Sequence, residues 1–341
     1  MKILGIETSC DETAAAVVED GRTLHSNVVA SQAEIHATFG GIVPEVASRQ
    51  HLLTIVAVVR QALADAHIAL EELDGVAVTH GPGLAGSLLI GVNAAKGLAV
   101  AKDLAFIGVN HLEGHIYAAW LDGDDPEQSP GFPLLCLIAS GGHTDLVLME
   151  GHGRYALVAR TRDDAAGEAF DKGARVLGLG FPGGPPIEKV SEASLGQEPP
   201  FPRPSVKDSL DFSFSGLKTA LLRRAEQKQW YPPREDADLD PQQVADMAAA
   251  YQEAIVDSLV GRAVEAAARY KVKGVLLGGG VAANSLLRKE MARRSSVQVI
   301  VPRPELCTDN GAMIGAAAWF HLRHGSHYQW DLDVVPNLRL G

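Results

Sequence analysis

Residues 2–7 and 13–18 are short runs of apolar and β-branched positions, and Asp20-Gly21 separates the second from a third such run at 23–30. An Asp-Gly pair between two strand-like runs predicts a tight hairpin, so the chain opens as a three-stranded meander. After Gly40-Gly41, Pro44 stands at a first helical turn, and Val46, Leu52, Ile55, Val56, Val59 and Leu63 recur at helical spacing. The pattern then predicts a strand over 75–79, a helix rich in small residues over 84–102, a strand over 106–109 and a further helix reaching about Trp120.

Residues 122–133 are acidic, proline-bearing and without periodicity, which marks a boundary between two lobes. Beyond it the plan repeats, with strands over 134–139, 144–149 and 155–160, a helix over 166–177, a loop over 181–186 and a helix from about Ile187. Residues 197–241 read as an irregular, proline-rich insertion carrying one helix at 216–227. A long helix over 242–270, a strand over 275–277, a helix over 284–294, a strand over 297–301 and a last helix over 309–321 complete the chain. Each half carries a meander followed by alternating helices and strands, an α/β pseudo-repeat.

Composition narrows the picture. The 341 residues, 46% of them hydrophobic, suffice to fill two cores. Cys10, Cys136 and Cys307 are odd in number, far apart and without a C-x-x-C pair, so neither a disulfide framework nor a cysteine metal cage is expected, and a reducing compartment is. No apolar run approaches the roughly 18 residues of a membrane span, and the first residues are too short for a signal-peptide core, so a soluble cytoplasmic protein with no membrane partner is expected. A formal net charge of −12 excludes nucleic-acid binding through the overall field; such a partner would need a local basic patch or a second subunit.

The most chemically specific stretch is Asn110-His111-Leu112-Glu113-Gly114-His115. Residues four apart on a helix lie about 40° apart in projection, so His111 and His115 stack on one face with both imidazoles aimed at the same point, a metal-ligand spacing. In zinc proteases a Glu directly follows the first His and serves as general base; Glu113 stands two positions on, about 200° round the helix, and the protease reading loses its base. From spacing alone, two histidines satisfied by hydrogen bonds are an equal reading, and a third ligand has to come from elsewhere. Asp309 reads either as the N-cap of the last helix or as that third ligand, in a set suited to iron or zinc.

Loops add further candidates. Thr8-Ser9-Cys10-Asp11-Glu12-Thr13 offers hydroxyls and two adjacent carboxylates, and Ala139-Ser140-Gly141-Gly142-His143-Thr144, at the equivalent turn of the second half, offers glycines and hydroxyls. Two such turns facing each other across a cleft would hold a phosphate between backbone N–H groups and hydroxyls. Gly278-Gly279-Gly280 leads from a strand towards a helix, letting a flat ligand lie against the backbone, with Asn284 either capping that helix or bonding a ribose or base. Asp171 and Lys172 read, by themselves, as a solvated helical face.

Taken together, residues 5–13, the His111/His115 pair, residues 139–144, 163–172, 181–185, Ser213-Phe214-Ser215-Gly216-Leu217-Lys218, residues 278–284 and 308–311 resemble the bacterial TsaD family, in that family's order and over nearly the whole chain. These are tRNA N6-adenosine threonylcarbamoyltransferases, once labelled O-sialoglycoprotein endopeptidases. The resemblance implies an α/β, actin-like ATPase fold with two duplicated ribonuclease-H-like lobes around a central cleft. Residues 1–130 would form the N-terminal lobe, joined by a C-terminal helix at 309–341, and residues 131–308 the C-terminal lobe with its insertion at 197–241.

It implies transfer of the threonylcarbamoyl group from threonylcarbamoyl-AMP to the exocyclic amine of the adenosine beside the anticodon, in tRNAs reading codons that begin with A. By match to the family pattern, His111, His115 and Asp309 would hold one divalent metal, iron before zinc, in the cleft. Ile138, Ala139, Ser140, Gly141, Gly142, Asp171, Gly184, Glu188 and Asn284 would contact the adenylate or another adenine nucleotide. Glu188 departs from the Asp of many relatives. Asp11 and Glu12 are the candidates for orienting or deprotonating the amine. Implied partners are tRNA and the TsaB-like and TsaE-like proteins, with the small-residue helix 84–102 offering a close approach to a partner or simply packing inside its lobe. Basic candidates for tRNA are Lys218, Arg223, Arg224 and Lys228, and Arg288, Lys289, Arg293 and Arg294. The readings set against transfer are a nucleotide-gated scaffold or ATPase without it, and a metalloprotease.

Overall fold

The first sheet is built on β1 (Lys2–Glu7), a strand buried along nearly its whole length. It pairs antiparallel with β2 (Glu12–Glu19), which pairs antiparallel with β3 (Thr23–Ser31). On its other side it pairs parallel with β4 (Gly75–Gly81), and β4 parallel with β5 (Ala105–Asn110), giving the order β3-β2-β1-β4-β5. Between β3 and β4 lie α1 (Ala33–Ala37) and α2 (Pro44–Ala66); α3 (Ala85–Lys102) joins β4 to β5, and α4 (His111–Tyr117) follows β5. The computed structural model describes residues 1–121, 123, 125–203, 206, 208–231, 240–325 and 330–341. Residues 122 and 124 of the expected boundary and 204, 205, 207 and 232–239 of the expected insertion therefore lie outside the described residues.

The second sheet repeats the first. Strand β6 (Leu134–Ala139) pairs antiparallel with β7 (Thr144–Gly151), which neighbours β8 (Arg154–Arg160). Helices α5 (Ala166–Val176), α6 (Gly184–Ser191), α7 (Ser215–Gln227) and α8 (Pro241–Tyr270) precede β9 (Gly274–Gly278), which lies parallel to β6. Helix α9 (Ser285–Arg294) then leads to β10 (Gln298–Ile300), parallel to β9, and the order is β10-β9-β6-β7-β8. The chain divides into two compact units: Met1–Gly131, Glu150–Tyr155 and Pro302–Gly341 form one, Phe132–Met149 and Ala156–Val301 the other.

In the first unit, Leu4, Ile6, Val17, Val76 and Val78 of the sheet pack with Ile55, Val58, Val59 and Ala62 of α2 and Val92, Ala95 and Ala99 of α3. Burying a side chain the size of Val or Ile stabilises by roughly 1.5–3 kcal/mol, so the two helices are held mainly by these faces. Not all of the expected apolar positions of α2 point inward: Leu52 and Val56 are 64% and 59% exposed, and the buried stripe is Ala47, His51, Ile55, Val58, Val59 and Ala62. The helix is apolar on two faces, which spacing alone does not separate. In α3, Gly91 packs inward against Thr8 and Val78, whereas Gly97 faces open space.

Three boundaries differ from the sequence reading. Helix α6 begins at Gly184 rather than near Ile187, because Pro185 and Pro186 occupy its first turn, where the missing N–H groups have no intrahelical partner to lose. The short α1 was not anticipated, since five residues are too few to show a period. The last helix, α10, runs Gly311–Arg323 and not over 309–341; Gly325, at φ +75°, follows its end, and residues 330–341 contain no helix. That last segment is tied to the rest of its unit by hydrogen bonds from Lys96 Nζ to Leu332 O, from Val335 N to His80 O and from Asn110 Nδ2 to Arg339 O. No helix among the described residues is long and apolar enough to cross a membrane, and none of the three cysteines forms a disulfide.

Candidate functional site

The histidine helix is positioned from its first residue. Asn110, the last residue of β5, caps α4 through Oδ1, which accepts from Leu112 N at 2.9 Å and Glu113 N at 3.4 Å. Every residue of α4 is buried, so its roll is set by packing on all sides. His111 and His115 lie edge to face, ring centroids 4.7 Å apart. Asp309 Oδ1 stands 3.6 Å from His111 Nε2 and 3.3 Å from His115 Nε2, and one ligand atom from each of the three residues lies within 4.8 Å of the others. Asn310, not Asp309, caps α10, accepting from Met313 N. The N-cap alternative for Asp309 is thereby removed.

His115 makes the case for a ligand set rather than a pair of satisfied core histidines. It is 1% exposed, and neither of its ring nitrogens has a hydrogen-bond partner among the described residues. A buried imidazole left in that state costs free energy that a bound cation would recover. Two imidazole nitrogens and a carboxylate oxygen form a donor set that suits zinc or iron and leaves positions open. Burial alone would lower the pKa of His111, but the neighbouring carboxylates of Asp309 and Glu7 outweigh it and raise the value to about 9. Metal binding there displaces a proton.

Glu113 is occupied elsewhere. Its Oε1 accepts from Tyr155 Oη at 2.8 Å and its Oε2 lies 2.7 Å from His321 Nε2. It is a structural carboxylate bracing α4, not a base beside the histidines, which agrees with its place round the helix.

Asp11 and Glu12 follow the β1–β2 turn in the same unit. Burial, then the charges of Asp309 and Asp11, raise the pKa of Glu12 far above the usual carboxylate range. The turn is held from α2: His51 Nε2 lies 2.9 Å from Cys10 O, and His51 Nδ1 2.8 Å from Thr13 Oγ1.

The remaining expected residues belong to the second unit. At the β6–β7 turn, Ser140 N–H is spent on His143 O, at 2.8 Å, and is not available to a ligand. Gly141 and Gly142 are exposed, their N–H groups make no hydrogen bond among the described residues, and nothing lies within 4 Å of where a side chain would begin. Asp171 is not simply solvated: its Oδ1 accepts from Gly183 N at 2.6 Å and fixes the start of α6 beside Gly184. Lys172 pairs with Asp164 and Glu168.

Asn284 caps α9 through Leu287 N, and its Nδ2 donates to Gln252 Oε1 at 2.7 Å and Glu188 Oε2 at 3.3 Å. Glu188 also accepts from Ser285 N at 2.8 Å. A cavity of about 900 Å³ is lined by Glu188, Gln252, Val256 and Ser285 among others, but not by Ile138, Ala139, Gly141 or Gly142. Gly279 is explained by packing: at φ +85°, a Cβ there would sit 2.4 Å from Ala139 O. The triple glycine therefore serves first to seat the β9 end against β6.

Among the expected basic clusters, Arg224 and Lys228 share Glu198, Arg293 pairs with Glu290 and Arg294 with Asp257. Each cluster thus carries ion pairs to carboxylates of its own chain among the described residues.

Residues 23–316 match the family model described as TsaD, tRNA N6-adenosine threonylcarbamoyltransferase. Proteins of that name from Dehalococcoides mccartyi and Thermomicrobium roseum are 54% and 53% identical to this chain, over 99% and 100% of it and 99% and 97% of their own lengths. Among solved structures, the activator of the 2-hydroxyisocaproyl-CoA dehydratase from Clostridium difficile, with bound ADPNP, aligns at a TM-score of 0.54 and 16% identity, covering 96% of this chain and 97% of that one. At that identity the likeness speaks for the fold, the actin-like ATPase fold. With the family model matched over most of its length and relatives above half identity end to end, the chain belongs to the TsaD family of tRNA N6-adenosine threonylcarbamoyltransferases.

Proposed function

We propose that this transferase works with one divalent metal, iron before zinc, held by His111, His115 and Asp309, and receives threonylcarbamoyl-AMP on residues of the second unit. The observation that carries the metal assignment is the buried His115, neither nitrogen hydrogen-bonded among the described residues, with Nε2 3.3 Å from Asp309 Oδ1. When bound, such an ion supplies positive charge that polarises a substrate oxygen.

The chain's own residues supply the rest. The N–H groups of Gly141 and Gly142 point the β6–β7 turn towards an anion, the departing phosphate of the adenylate. Gly184 and Asp171 shape the neighbouring loop, and Glu188, steadied by the Asn284 amide, presents a carboxylate to the nucleoside. Glu188 serves in place of the shorter Asp because it already reaches Ser285 and Asn284. In the transfer, the N6 amine of adenosine bonds to the carbamoyl carbon, the bond from that carbon to the AMP oxygen breaks, and the amine loses a proton. Asp11 and Glu12 would orient the amine, and Asp11 would take that proton, since Glu12 holds its own near neutral pH. The tRNA acted on is one reading codons that begin with A, in the cytoplasm.

A protein partner of the TsaB-like kind, with a TsaE-like protein joining it, fits the outer faces of α2 and α3. Leu52, Leu53, Val56, Leu89 and Val100 are between 43% and 75% exposed there, more apolar surface than an isolated helix pair needs.

The test is incubation of the protein and its partners with threonylcarbamoyl-AMP and an unmodified tRNA, with His115→Ala alongside. Wild type is expected to carry one metal per chain and to modify the tRNA; the variant is expected to lose both while keeping its fold. A His115→Ala protein with full metal content by elemental analysis would remove the metal assignment.

A further inference from the structure

We propose that Glu7 is the positioning residue of the candidate metal centre: pinned inside the first unit, it fixes the ring of His111 and supplies the second negative charge a divalent ion needs. The inference rests on the metal reading above.

Glu7 ends β1 and is wholly buried. Its Oε1 accepts from Ser9 N, and its Oε2 accepts from Thr79 Oγ1 on the neighbouring strand β4. The same Oε2 lies 3.1 Å from His111 Nδ1. With both oxygens already accepting, the hydrogen between Glu7 and His111 belongs to the ring nitrogen. Ser9 Oγ, also 3.1 Å from Nδ1, lies within reach of the same hydrogen. With one proton held at Nδ1, the proton a metal displaces is the one on Nε2, the nitrogen that faces Asp309 Oδ1.

The carboxylate is anchored by the β1–β2 turn and by β4, so the ring must follow it, not the reverse. Among the described residues His115 has no such brace, its buried Nδ1 making no hydrogen bond to them. The centre is therefore braced from one side, through His111. Charge points the same way. Asp309 alone would leave a divalent ion there with a net charge of +1, and Glu7, one ring away, adds a buried carboxylate beside it.

The test uses the full-length protein stripped of metal. Zn²⁺ affinity is measured by competition with a chromophoric chelator, and the visible spectrum of the Co²⁺-loaded protein reports ligand geometry. Glu7→Gln, nearly the same size but uncharged, is expected to weaken Zn²⁺ binding about 10–100-fold and to alter the Co²⁺ spectrum. Glu7→Asp should recover part of the affinity, which a purely packing role would not predict. Thr79→Val, which removes one anchor and leaves the carboxylate, should weaken binding less and serves as the readout if Glu7→Gln does not fold. Unchanged Zn²⁺ affinity in a folded Glu7→Gln protein, or in Thr79→Val where the other does not fold, overturns the role of Glu7 while leaving the metal site standing. Failure of wild type to bind either ion would instead refute the metal reading itself.

Discussion

Substituting Gly279 with alanine separates packing from ligand contact at the glycine-rich turn. The residue sits at φ +85° and ψ 162°, a region that residues with a side chain avoid at a cost of about 1–3 kcal/mol. The added Cβ would also lie 2.4 Å from Ala139 O and 2.7 Å from Ala139 C, backbone atoms at the end of β6 that cannot rotate away. Moving a packed strand to relieve such an overlap costs a further 1–3 kcal/mol or so, which brings the total to roughly 2–6 kcal/mol. For a unit of this size that lowers the melting temperature by about 4–24 °C. Differential scanning calorimetry, with titration of an adenine nucleotide at a temperature where both proteins are folded, measures both effects. A variant that melts with wild type would refute the packing argument. One that melts with wild type and binds no nucleotide would return the turn to the ligand.

Two other expectations concern pH and salt. His152 is packed on Phe320, with ring centroids 4.2 Å apart, and burial lowers its pKa, so the unfolded chain takes up a proton the folded chain resists; stability should fall as pH drops below about 6.5, and His152→Asn should cost less stability near pH 5.5 than near pH 7.5 in denaturant titrations. An equal cost at both values would show that His152 does not titrate as argued. Because both basic clusters are engaged by carboxylates of their own chain, whose net charge is −12, tRNA binding by this protein alone should be weak and should weaken further with salt. Tight binding that ignores salt in gel-shift titrations would contradict this.

How much was legible in the sequence depends on how local each signal is. The strands and most helices follow from period and turn residues, and the duplicated sheet follows from their order. The His111/His115 spacing is local too. Asp309 is not: beside a helix start it is one of two capping candidates, and only the placement of Asn310 over Met313 N separates them. Ser140 illustrates the opposite error. A glycine-serine turn suggests three available N–H groups, but the turn closes on His143 O with the first of them. Glu7 left a faint trace, a carboxylate closing a strand that is apolar from Ile3 to Ile6, which reads as an ordinary strand end until Thr79 and His111 are seen around it.

The candidate metal centre also depends on a contact that carries no chemistry of its own. Helix α10 lies directly on β1: a Cβ at Gly5 would stand 2.2 Å from Gly311 O and 2.5 Å from Gly315 N. Glu7 stands two residues beyond Gly5, and Asp309 two residues before Gly311, so this single approach sets both the brace of His111 and the carboxylate that completes the set. Gly5→Ala must push α10 outward by more than an ångström, because the obstructing atoms are backbone. Gly315→Ala, whose Cβ would meet Val18 Cγ2 at 3.1 Å, is a milder version of the same displacement. Both should lower stability and Zn²⁺ affinity together, Gly5→Ala more than Gly315→Ala, whereas Gly279→Ala in the other unit should lower stability alone. If Gly5→Ala folds and binds Zn²⁺ as wild type does, Asp309 is placed by something other than the packing of α10 on β1, and the coupling of fold to ligand geometry argued from those glycines is wrong.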